Sequence, residues 1–133
     1  MSGRWCAVAA AVLLAGGCQT TPHDRVGDGV AVEHVIICWL KEPGDTTARG
    51  RIIEASKRLA AIPGAVRVST GPVLSGRSAR PQEDRSFDVG VVMTFRDRAA
   101  LRDYQLHPLH QQAVRDVLVP LVREFKAYDF VSQ

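Results

Sequence analysis

The sequence is short of cysteine, with three in 133 residues at positions 6, 18 and 38. Two of them lie in an N-terminal stretch that reads as leader and anchor, leaving Cys38 alone in the folded part. No intrachain disulfide is then available, and stability must come from the core and from assembly. Charge of one sign is also scarce: 17 Lys and Arg stand against 14 Asp and Glu, interspersed along the chain. That balance gives no footing for nucleic acid as a partner. There is no glycine-rich phosphate loop, no Walker-type motif, no Ser-His-Asp order, no internal repeat and no second domain. The apolar run from Cys6 to Ala15 is too short to span a bilayer as a mature helix.

What is present begins with that run. One basic residue, Arg4, precedes it, and "LAGGC" closes it with small residues before Cys18. The motif resembles a bacterial lipobox, which predicts a signal peptide over 1–17 and a lipidated Cys18 as the first mature residue. Removing Arg4 from the 17 basic residues leaves 16 against 14 acidic ones, a mature balance of +2. Several acyl chains on one cysteine give stable membrane anchoring where a single chain is marginal. Gln19, not Asp, follows it, which favours the outer membrane, facing the periplasm of a bacterial cell envelope. Residues 19–29 are polar, carry Pro and Gly and show no periodicity. As a flexible coil this tether reaches about 18 Å. The domain proper is expected over 30–133.

Within it, "VEHVIICWL" reads as a central strand, apolar on both alternating faces: His34, Ile36, Cys38, Leu40 on one, Val35, Ile37, Trp39 on the other. Asp45 is placed to cap a helix whose stripe is Ile52, Ala55, Leu59 and Ile62, stopped by Pro63-Gly64. "AVRVSTGPVL" and "SFDVGVVMTF" read as two further strands, the latter with Phe87, Val89, Val91, Met93 and Phe95 on one face. Asp97 caps a second helix burying Ala100, Leu101 and Tyr104, and a new segment starts at Pro108 with the stripe Leu109, Ala113, Val117, Leu121. "EFKAYDF" is a fourth strand. This order, β-α-β-β-α-β, predicts an α+β, ferredoxin-like sandwich with both helices on one face of an antiparallel sheet. Whichever face the helices leave open is apolar, so a homodimer packed sheet against sheet is expected, with a cavity between sheet and helices.

Taken together, "EHVIICWLK", "AIPGAVRVSTG", "SFDVGVVMTFRDRAALRDYQLHPLHQQAV" and the closing "YDF" resemble the stress-responsive α/β-barrel family, Dabb. The resemblance runs from about Ala31 to Phe130 and implies a dimeric α+β barrel. The family holds both a plant stress protein with no evident chemistry and a plant cyclase that closes a linear polyketide by aldol condensation. By that resemblance His110 matches the cyclase's catalytic histidine and Tyr104 the tyrosine beside it. His34, Ile36 and Cys38 fall on its pocket-lining positions, and Val91 is the partner expected across the sheet. Elsewhere the chain departs: Val89 stands for a further pocket histidine, and Arg51 and Ala55 for two aromatic residues, so the substrate walls differ.

An imidazole can remove an acidic carbon-bound proton near neutral pH, and a phenol can orient it or hydrogen-bond a carbonyl. His110 is equally readable as a structural histidine at the core edge, Tyr104 as core, Cys38 as an inert small hydrophobe, and Asp88 and Asp129 as structural. His107, held out of helical geometry by Pro108, reads as the break between two helical segments. No metal site is expected, because Pro108 bends the His107–His110 pair and no acidic or cysteine ligand lies within the motif. No cofactor is implied. Three functions follow: a module binding a small apolar ligand or serving a stress response; a cyclase-like or isomerase-like enzyme with His110 as base and Tyr104 as its partner; and an interaction protein whose lipid anchor displays the dimer to envelope partners.

Overall fold

The computed structural model describes residues 29–76 and 80–133. The predicted leader, the lipidated Cys18 and the tether up to residue 28 lie outside the described residues. The elements run β1 (Val32–Leu40), α1 (Thr46–Arg58), a 3-10 turn (Leu59–Ala61), β2 (Ala65–Pro72), β3 (Val89–Phe95), α2 (Arg98–Leu106), α3 (Pro108–Ala113), a π-helical stretch (Val114–Leu118), a last turn (Val119–Leu121) and β4 (Val122–Val131). The four strands form one antiparallel sheet in the order β2-β3-β1-β4. This is the expected ferredoxin-like arrangement.

Local chemistry sets the boundaries. Asp45 accepts from the backbone N–H groups of Thr47 (2.9 Å) and Ala48 (3.0 Å), and Asp97 from that of Ala100 (2.7 Å), so each helix begins on a carboxylate cap. Lys57 and Arg58 close α1 on the side of the helix dipole that favours positive charge. Asp88 pins the end of β1 by accepting from Leu40 N (2.9 Å) and Gly44 N (3.3 Å), a structural role as expected.

The core lies between the helices and the β1 face that carries His34, Ile36, Cys38 and Leu40. Val89, Val91, Met93 and Phe95 meet it from β3, all buried, while Ile52, Leu59, Ile62, Ala100, Leu101 and Tyr104 close it from above. Val35, Ile37 and Trp39 therefore point to the open face, joined there by Val92 of β3 and by Tyr128 and Phe130 of β4, which are 52% and 54% exposed. One end of that face is covered within the chain: Trp39 Nε1 donates to Ser86 Oγ (3.0 Å), and Lys126 Nζ lies 5.3 Å from the Trp39 ring centre.

Five expectations need correction. The third strand starts at Val89, not Ser86, because Asp88 is committed to the clamp on Leu40 and Gly44. Phe87 consequently leaves the Val89 face, and its ring packs beside Gly90 and Ile37 on the other side. Leu109, placed in the buried stripe by periodicity, is 47% exposed, since α3 begins afresh at Pro108 and its first turn projects from the core. The second strand ends at Pro72, leaving Leu74 exposed beyond it, and the fourth is longer than expected at both ends.

Candidate functional site

The pleat of β1 delivers His34, Ile36 and Cys38 to the helical side of the sheet, and register does the rest. His34 lies opposite Met93 and Ile36 opposite Val91 on β3; on β4, Asp129 faces His34, Ala127 faces Ile36 and Phe125 faces Cys38. The helices cover β1 and β3 but stop short of β4, where Phe125 remains 46% exposed. A cavity of about 340 Å³ fills the space between. Ile52 and Ala55 of α1 and Leu59 of the 3-10 turn form its roof, and Val114, Val117 and Leu118 its far wall. The π-helical stretch explains that wall: a wider turn brings Val114 and Leu118 to the cavity as well as Ala113 and Val117 of the predicted stripe.

The polar groups gather at one end. Tyr104 projects from the last turn of α2, 2% exposed, its ring 4.8 Å from that of Phe95, 4.5 Å from that of His110 and 5.9 Å from that of His34. Burial alone pushes its phenol far above the usual range, so the hydroxyl keeps its proton. His34 is 5% exposed, and its Nδ1 lies 2.5 Å from Asp129 Oδ1. His110 is half-buried, with Nδ1 3.1 Å from the Gln105 carbonyl oxygen. Its pKa is lowered from the ordinary imidazole value, first by burial and then by the neighbouring His34, while the Gln105 hydrogen bond acts the other way. Ser56 closes the roof with its hydroxyl donating to Ile52 O (2.9 Å). Cys38, wholly buried, has its thiol pushed up to about 11 by desolvation, which makes it a protonated wall group rather than a nucleophile.

All six residues singled out in the domain (His34, Ile36, Cys38, Val91, Tyr104 and His110) line this one cavity. His107 does not: its backbone is extended and its Nδ1 accepts from Leu109 N (3.2 Å), so it caps α3 at the break. Of the positions where the chain departs from the cyclase pattern, Ala55 lines the cavity, Val89 is buried in the core and Arg51 is exposed. Sequence reasoning missed Asp129 as the partner of His34, together with Phe125, Gln105 and Ser56. The signal for Asp129 and Phe125 was the period-two phase of β4, readable only with the β1–β4 register in hand. Among the described residues no group of three His, Cys, Asp or Glu is arranged to hold a metal ion.

A family model described as the stress responsive A/B barrel domain matches residues 32–132. Among solved structures, the chain is 30% identical to a Dabb family protein with a ferredoxin-like fold from Mesorhizobium loti, across 78% of this chain and 98% of that one, with a TM-score of 0.62. It is 25% identical to a dimeric ferredoxin-like protein of unknown function from Jannaschia sp., across 75% and 97% of the two chains, with a TM-score of 0.58. A hydroxynitrile lyase from Passiflora edulis, 17% identical across 79% and 95%, shares the fold at a TM-score of 0.63. No curated protein matches the sequence. Strand order, the match over nearly the whole domain and the Mesorhizobium relative agree, and the chain belongs to the stress responsive A/B barrel domain family, Dabb.

Proposed function

We propose that this Dabb protein binds a small apolar ligand in the cavity between its sheet and helices, as a homodimer held at the cell envelope by a lipid on Cys18. The observation that carries the ligand is the cavity itself. Its volume lies in the range of small-molecule sites, its walls are mostly aliphatic, and its few polar groups converge at one end. The dimer is supported by the apolar open face of the sheet, with Val35, Ile37, Val92, Tyr128 and Phe130, and by the dimeric Jannaschia relative. The anchor rests on the "LAGGC" motif.

One observation favours a second reading, catalysis. A carbonyl oxygen only accepts, so the His110 contact to Gln105 O holds the hydrogen on Nδ1 and leaves Nε2 as a base. With the Tyr104 phenol alongside, that pair suits proton abstraction next to a carbonyl.

Native mass spectrometry of the chain from Val30 onward, without added ligand, tests the first reading. The expected result is a dimer carrying a reproducible small molecule; a monomer would refute the dimer, and a dimer that neither carries nor takes up apolar molecules would refute the ligand. Replacing His110 with Ala separates the two readings, since it removes turnover from an enzyme but leaves a binding module folded and able to take ligand.

A further inference from the structure

The polar end of the ligand can be deduced from the hydrogen-bond inventory of the cavity, an argument that rests on the ligand-binding reading above. His110 gives its Nδ1 hydrogen to the Gln105 carbonyl, and His34 gives its own to the Asp129 carboxylate, two acceptors that cannot donate. In each neutral ring the lone pair is then left on Nε2. Neither Nε2 has a partner among the described residues, and neither is sealed off by protein; both rings line the cavity. The Tyr104 hydroxyl is in the same position, unpartnered and open to the cavity, with its proton retained. Among the described residues no lysine or arginine lines the cavity. With both rings neutral, the buried polar end therefore offers two lone pairs and one O–H; Ser56 spends its hydrogen on Ile52 O, and Gln105, which also lines the cavity, is exposed to solvent.

We propose that this cavity selects a neutral hydroxyl on a small apolar body, a phenol or an enol, and rejects a carboxylate. A hydroxyl donates to an imidazole Nε2 and accepts from the Tyr104 O–H, and the second imidazole takes a second hydroxyl where the ligand has one. A carboxylate brings only acceptors and a charge, which would face two lone pairs in a mostly aliphatic enclosure. An ether meets Tyr104 but leaves both imidazoles unmatched. Sites built around a ligand's hydroxyl discriminate strongly against analogues that lack it, because their own buried polar atoms go unpaired.

The test is isothermal titration of the full chain with three probes of one shape, para-propylphenol, para-propylanisole and para-propylbenzoate, at about pH 8, where an ordinary imidazole is neutral. The phenol should bind roughly ten-fold more tightly than the anisole, the worth of one donated hydrogen bond, with the benzoate weakest. His110→Phe should collapse the phenol-over-anisole preference, while Tyr104→Phe, which removes a donor serving both oxygens, should weaken both probes and leave their ratio standing. Equal binding of phenol and anisole by the native chain would overturn the proposal and leave ligand binding intact, as would tightest binding of the benzoate. A preference that survives His110→Phe would overturn the part given to that ring. Should none of the three bind, the ligand-binding reading itself falls and this inference falls with it.

Discussion

Replacing Gly64 with alanine should cost about 2–5 kcal/mol of stability, for reasons that separate cleanly. Gly64 follows Pro63 at the stop of the first helical segment with φ +93°, in the left-handed region. A β-carbon there would lie 2.6 Å from the β-carbon of Ala100, well inside the roughly 3.5–4.0 Å at which carbon atoms attract. Ala100 is 1% exposed and sits on α2, so it has nowhere to move. The backbone term alone is about 1–2 kcal/mol for any L residue, and the overlap adds about 1–3 kcal/mol. Gly44 supplies the control, because its φ is +81° but nothing lies within 4 Å of a β-carbon built there. Gly44→Ala should carry the backbone term only. Urea unfolding of both variants, compared at equal slope, should give midpoints whose difference is the overlap. Adding Ala100→Gly to Gly64→Ala should return that difference, less the helix cost of glycine, about 1 kcal/mol. Equal destabilisation by Gly64→Ala and Gly44→Ala would refute the close approach and the seating of α2 on this turn. The seating matters for function, since Ala100 lies one turn before Tyr104, and a displaced α2 moves Tyr104 away from His110.

Acid should weaken the fold partly through His110. Its folded pKa is lowered by burial, so the unfolded chain takes up the proton first; the contribution is intact above the model-peptide value of 6.5 and is lost as pH falls below it. Urea midpoints measured at about pH 7.5 and about pH 5.5 should drop in the native chain and drop less in His110→Phe; equal drops would assign the effect elsewhere. Cys38 should resist alkylation: with its thiol pushed up to about 11 and no exposure, iodoacetamide at about pH 8 should label it slowly in the native state and fully in urea. Rapid native labelling would show that the cavity wall opens to reagents.

Much of the fold was legible because independent local signals agree. β1 runs over the predicted residues, and Asp45, Asp97 and Pro108 start helices where their chemistry places them. What resisted was information carried between elements. Both faces of β1 are apolar, so alternation shows that a strand is central without saying which face the helices take; the packing of Tyr104 and Ile52 over His34 and Ile36 decides it. Asp129 read as structural because its partner is 95 residues away, in a register that no local pattern encodes. Leu109 fits a helical stripe by spacing yet falls on the first turn of a helix that starts anew, and Phe87 fits a strand by alternation yet lies before the strand begins. In these last two misses a period was extrapolated across a boundary set by a side-chain hydrogen bond, the His107 cap in one and the Asp88 clamp in the other.

The spacing of "YQLHPLH" follows from the same break. In an uninterrupted helix a residue six positions after Tyr104 would sit about 120° around the axis from it, on a different face and about 9 Å further along. The rings of Tyr104 and His110 nevertheless lie 4.5 Å apart. Pro108 disfavours helical geometry at His107, which adopts φ −67° and ψ 135°, and the His107 ring then caps the new helix through Leu109 N. The chain thereby turns, and His110 swings back far enough for its Nδ1 to reach the carbonyl of Gln105, five residues earlier. That one contact fixes the tautomer and aligns the ring with Tyr104. His107 and Pro108 therefore act on the site without lining the cavity, and the two histidines of the motif divide the work: one makes the corner, the other presents Nε2 to the cavity.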